Sequence, residues 1–119
     1  MMVGVRWIYR FIPVPVLVCA VMPDRFDALA LGVAVLVRPG SRDDEALIAH
    51  ELVHCRQFYR SFGLNALRYW LSRDFRYQAE LEAVREQLRI NPAARSAAIQ
   101  MLLTAYDLGV SRRQVENDL

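Results

Sequence analysis

The segment DDEALIAHELVHCRQFYR, residues 43 to 60, restricts the fold more than any other part of the chain. Ser41 is a capping residue with Asp44 three positions on, and Asp43 and Glu45 suit the positive end of a helix dipole. A helix is therefore predicted from about residue 42 to 61, stopped at Gly63. Ile48, Ala49, Leu52, Val53, Cys55 and Tyr59 leave it almost no polar face. A helix that is apolar nearly all round must be buried, so the rest of the chain has to wrap it. Two imidazoles and a carboxylate, His50, Glu51 and His54, lie inside this buried run and need a reason to be there.

The residues before this helix read as strand and those after it as helix. VPVLVCAV (14 to 21) and ALALGVAVLV (28 to 37) are short apolar runs joined by MPDRFD, which predicts an antiparallel hairpin. After Gly63, LNALRYWL (64 to 71) reads as a short helix and residues 74 to 90 as a long one. Asn91-Pro92 starts another helix that runs to Gly109, and Ser111 with Gln114 caps a last short one. Strands first and helices after make an α+β fold. With 119 residues, 55% of them hydrophobic, residues 1–119 form one domain around one core.

On a helix, residues four apart lie nearly above one another, so His50 and His54 project from one face at a spacing that lets both hold one metal ion. Glu51 is turned about 100° from His50, beside the open side of such an ion. A catalytic zinc takes three protein ligands and a water. The chain has only these two histidines, so the third ligand is a carboxylate or, less readily, Cys19 or Cys55. Cys55 points about 100° away from His54 and cannot easily reach the same ion. In RDFRYQAELEAVREQLR, the apolar stripe Tyr77, Leu81, Val84, Leu88 defines the inward face. Glu80 falls about 40° from Val84, whereas Glu82 and Glu86 fall on the far side, where arginine pairing such as Glu82 with Arg85 or Glu86 with Arg89 suits them. Periodicity selects Glu80.

HELVH, followed after 25 intervening residues by ELEA, resembles the zincin metallopeptidases of the gluzincin branch, in the form of small bacterial and phage-type domains. Arg56-Gln57 after the motif and Glu80-Leu81-Glu82-Ala83 on the later helix carry the likeness, which spans roughly residues 28 to 90. The resemblance implies a minimal zincin core: a small antiparallel sheet, the His50/His54 helix, the Glu80 helix, and C-terminal helices behind. It implies Zn²⁺ on His50, His54 and Glu80, with Glu51 as general base for a water whose pKa falls toward about 7. The substrate would be a peptide or protein. Gluzincins add an oxyanion donor; Tyr77, one turn before Glu80, is the expected one, with Tyr69 and Arg73 as alternatives and a plain core aromatic as the bland account of Tyr77. The strand LALGVAVLV is expected at the sheet edge near His50, where zincins pair with extended substrate. Val84 stands where the family usually has an Asp or Asn supporting a histidine, so that support falls elsewhere, with Gln57 a candidate.

Other features point to other classes. Cys19 and Cys55 form neither a CxxC pair nor a disulfide framework and read as free thiols of a reducing cytoplasm. FIPVPVLVCAVM has about twelve apolar residues, short of the roughly 20 that span a bilayer, so no membrane span is expected. All 15 basic residues are arginines, scattered without a dense block, which makes no case for nucleic acid. TAYDLGVSRRQVENDL resembles half of a helix-turn-helix, an alternative DNA-binding reading, though its second helix has barely two turns. A zinc-binding interaction module without catalysis is the other alternative.

Overall fold

The computed structural model describes the backbone of residues 2–119 and side chains from Gly4 onward. A four-stranded sheet is followed by five helices, an α+β arrangement. The strands are β1 (Met2–Ile8), β2 (Ile12–Val18), β3 (Ala28–Ala30) and β4 (Val35–Val37), in the order β1-β2-β4-β3. The helices are α1 (Glu45–Arg60), α2 (Leu64–Leu71), α3 (Arg73–Ile90), α4 (Arg95–Thr104) and α5 (Arg112–Asp118).

The expected antiparallel hairpin of residues 14 to 21 with 28 to 37 does not form, and the sheet is mixed. β2 and β4 are parallel, with Val16 opposite Val35. The antiparallel partner of β2 is β1, and that of β4 is β3. The run 28 to 37 breaks because Gly32 takes φ +86°, and Leu31 N–H donates to Ala34 C=O across the turn. A side chain at Gly32 would press into the Phe58 ring, with a Cβ only 2.8 Å from it. An apolar run with no other polar break hides such a turn from pattern reading.

The inward face of the sheet carries Ile8, Val14, Val16, Val35 and Val37, all buried against Ile48, Leu52 and Cys55 of α1. On its other side α1 packs along α3. The helix is therefore sandwiched, as its all-round apolar surface requires. Its N-cap is Asp44, whose carboxylate accepts from Leu47 N–H at 3.0 Å; Ser41 instead belongs to a 3₁₀ turn, Pro39–Ser41. The turn after Arg60 closes with Gly63 N–H donating to Phe58 C=O, and Gly63 has φ +91°.

α3 shows two stripes, one residue out of phase. Tyr77, Leu81 and Val84 face a second core with Ile99, Leu102 and Val115 of α4 and α5. Arg76, Glu80, Ala83 and Gln87 repeat the same i, i+4, i+7, i+11 spacing about 100° away. The helix expected from Pro92 to Gly109 is shorter: Pro92–Ala94 is a 3₁₀ turn and α4 stops at Thr104. The carbonyls of Tyr106 and Asp107 accept from the Arg76 guanidinium instead of closing another helical turn. Asp107 adopts φ +52° there. Ser111 caps α5 as expected, accepting from Gln114 N–H. Among the described residues no helix is long and apolar enough to cross a membrane.

Candidate metal centre

The sandwich brings His50 and His54 of α1 to face Glu80 of α3. Their ligand atoms lie within 4.8 Å of one another, a group that could hold a metal ion. His50 Nε2 is 3.2 Å from Glu80 Oε1, and His54 Nε2 is 3.1 Å from Oε2. His50 and Glu80 are buried and His54 nearly so. Among the described residues no other such group is present.

The far sides of both rings are anchored. His54 Nδ1 is 2.9 Å from Gln57 Oε1, and Gln57 Nε2 donates to Ala79 C=O and to Glu82 Oε1. Two acceptors on the Nε2 side require the amide group there, so the oxygen faces His54 and Nδ1 carries the proton. His50 Nδ1 likewise faces Gln87 Oε1 at 2.9 Å. A neutral imidazole protonated at Nδ1 has its lone pair on Nε2, so both lone pairs point at the Glu80 carboxylate. Three acceptors pointed at one small volume repel one another unless a cation lies between them. Without a metal ion, protons fill that role. Burial opposes charge on His54, but the Glu80 carboxylate outweighs burial and pushes the imidazole up to about 10. Burial also opposes ionisation of Glu80, but the two imidazoles prevail and hold its carboxyl well below the usual carboxylate range. The donor set, two imidazole nitrogens and one carboxylate oxygen with anchored back sides, fits zinc-type ligation.

Gln57 thus supports His54 as the sequence indicates, whereas Gln87 is a residue that sequence reasoning misses. A signal for it exists: it lies seven residues after Glu80, two helical turns along the same stripe. Val84 points into the second core, so the support one turn past Glu80 moves a turn further, to Gln87.

Glu51 is buried beside the pair, and burial raises its carboxyl above the ordinary range, with the histidines opposing and Glu80 adding to the rise. The nearby Ala30 backbone N–H also opposes the rise. β3 is an edge strand, and its ladder is phased by Leu31 N–H to Ala34 C=O and Arg38 N–H to Asp27 C=O. Alternate residues bond to β4, so the backbone groups of Ala28 and Ala30 turn outward along the free edge. The edge position expected of LALGVAVLV holds only for its first part: β3 is three residues long and lies beside α1, whereas β4 lies inside the sheet.

Tyr77 is not at the site. Its hydroxyl donates to Asp118 at 2.8 Å and its ring belongs to the second core, because it sits on the apolar stripe rather than the Glu80 stripe. Arg73 is half-exposed near Asp107 and does not line the cleft. Tyr69, the remaining alternative, does reach: its hydroxyl donates to Glu80 Oε2 at 2.5 Å. Tyr106 also faces Glu80 and Glu51, and burial, then the Glu80 charge, pushes both phenols up. Tyr106 comes from the segment after α4 whose sequence reads as helix, so nothing in its spacing indicates it. Arg76 holds both tyrosines through their main chains, donating to Tyr69 C=O at 3.0 Å and Tyr106 C=O at 2.9 Å. Glu86 pairs with Arg89 as expected, while Glu82 accepts from Gln57 and lies 3.6 Å from Arg60. Both cysteines are free; Cys55 is buried, and burial pushes its thiol up to about 12.

His54, Glu51, Glu80 and both tyrosines line a cleft of about 1120 Å³ that runs between β3 on one side and α2 with residues 103–109 on the other. The chain matches no protein-family model, no curated protein and no solved structure.

Proposed function

We propose that this chain is a zinc-dependent peptidase of the zincin kind. The observation that carries the reading is the convergence of His50 Nε2, His54 Nε2 and the Glu80 carboxylate beside a buried carboxylate, Glu51, that belongs to neither anchor pair. Zinc held by those three residues would polarise a carbonyl and lower the pKa of water to about 7. Glu51 takes the proton of the attacking water and passes it to the leaving nitrogen, and its burial makes it a stronger base than a solvated carboxylate. Tyr69 replaces Tyr77 as the oxyanion donor, with Tyr106 beside it on the same wall of the cleft. The outward N–H and C=O groups of Ala28 and Ala30 suit pairing with an extended backbone.

The test is cleavage of a peptide library by the purified chain loaded with zinc. Activity should vanish with a chelator and return with zinc. Full zinc occupancy with no cleavage of any peptide would instead favour a zinc-binding module without catalysis.

A further inference from the structure

Two segments of the sequence contain no Asp or Glu: residues 1–23, with Arg6 and Arg10, and residues 52–73, with Arg56, Arg60, Arg68 and Arg73. Among the described residues, ten of the thirteen exposed large apolar side chains fall in these same two segments. The most exposed include Phe62 at 97%, Trp70 at 78%, Phe11 at 74% and Trp7 at 59%.

The fold brings much of this surface to one end. Tyr9, at the tip of the β1–β2 hairpin, donates its hydroxyl to Arg56 C=O in the last turns of α1. β2 and β4 are parallel, so the β3–β4 turn emerges at the same end, and Gly32 in that turn lies against the Phe58 ring. Leu31 and Val33 of the turn are exposed too. α2 comes directly after α1, buries none of its residues, and is tied back by Asn65 Nδ2 donating to Gln57 C=O. Two hairpin tips, the end of α1 and the whole of α2 thus form a surface of aromatic, aliphatic and arginine side chains. Arg10 and Arg68 have no acidic partner among the described residues, and Arg60 lies 3.6 Å from Glu82 with half its side chain exposed.

We propose that this end of the molecule docks on an anionic lipid bilayer. Exposed Trp, Tyr and Phe interleaved with arginine match the two layers such a surface presents, an apolar boundary beneath negative headgroups. A second copy is a poor occupant, because it would set arginines against their own kind across two segments that contain no carboxylate. The docking is peripheral, since no described helix could cross the bilayer. Trp70 and Leu31 also line the cleft, so the cleft mouth would open toward the membrane plane.

The chain has two tryptophans: Trp70 belongs to this surface and Trp7 is exposed in β1 two residues before Tyr9, so the Trp70 emission reports docking. Vesicles of phosphatidylcholine with phosphatidylglycerol should shift it to the blue and carry the full chain down on sedimentation. Phosphatidylcholine alone should do neither at the same lipid concentration, and added salt should weaken the first. Phe62→Ser should raise the half-binding lipid concentration about tenfold, and Arg10→Gln and Arg68→Gln about fivefold each, with circular dichroism unchanged. Absence of binding to the anionic vesicles, or equal binding to both vesicle types, overturns the proposal. So does lipid-free dimerisation that Phe62→Ser abolishes, which would make a second copy the occupant.

Discussion

At neutral pH the metal-free chain carries a proton on His54, because the Glu80 carboxylate raises that imidazole to about 10. A metal ion must displace it. Affinity should therefore climb roughly tenfold per pH unit from neutrality toward about pH 10, and metal uptake near neutrality should release protons. Titration in weak buffer with an indicator dye checks this; pH-independent affinity would mean that His54 is not a ligand. The same shift carries a stability sign. The folded pKa is raised, so the His54–Glu80 pair stabilises the metal-free fold fully below about 6.5, and that contribution is lost as pH rises toward about 10. His50→Ala, His54→Ala and Glu80→Ala should each lose metal, whereas Glu82→Ala should keep it. Gln87→Ala should weaken zinc binding about 10- to 100-fold, the usual effect of removing a group that orients a ligand, as read by competition with a chelating dye. Glu51→Gln should retain zinc and fold while peptide cleavage falls about 10²- to 10⁴-fold. Near-normal turnover with full zinc occupancy would remove Glu51 from the mechanism.

At the scale of elements, the β3–β4 turn and the Arg76 contacts decide where the cleft walls stand. Gly32 combines a left-handed backbone with a Phe58 ring where a side chain would be. Gly32→Ala should destabilise the fold by about 1–3 kcal/mol, seen as a lower urea midpoint with unchanged slope, and a neutral result would mean the turn relaxes freely. Arg76 joins the end of α2 to the segment after α4 by three bonds to carbonyls. Lysine cannot span three carbonyls with one planar fork, so Arg76→Lys should loosen both tyrosines. The expected result is a lower kcat with zinc content intact; an unchanged kcat would mean that the tyrosines hold themselves in place.

For the whole molecule, the candidate metal site lies at the seam between two cores. One core joins the sheet to α1, and the other joins α3 to α4 and α5. A metal bridging α1 and α3 would bind the folded chain in a way the unfolded chain cannot match. At free zinc a thousandfold above Kd, the gain is about 4 kcal/mol. A chain of this size should then melt roughly 10 °C or more above its metal-free form. Differential scanning calorimetry with and without chelator measures it. Equal melting temperatures would show that the seam is closed without metal.

Much of the site was legible because its determinants are local. The spacing of His50 and His54, the placing of Glu51 between them, and the choice of Glu80 over Glu82 and Glu86 all come from 100° per residue along single helices. The lengths of α1, α2 and α3 and the Ser111 cap came from the same short-range rules, and so did the α+β class. What the tertiary structure decided are relations between elements that no periodicity encodes. The parallel pairing of β2 with β4 depends on where the chain turns at Gly32, and that turn depends on the Phe58 ring packed against it. Tyr69 rather than Tyr77 reaches Glu80 because α2 folds back over α3, placing a residue eleven positions upstream nearer the carboxylate than one a single turn away. Helical geometry sets which way a side chain points. Only the docking of one element on another sets what it meets.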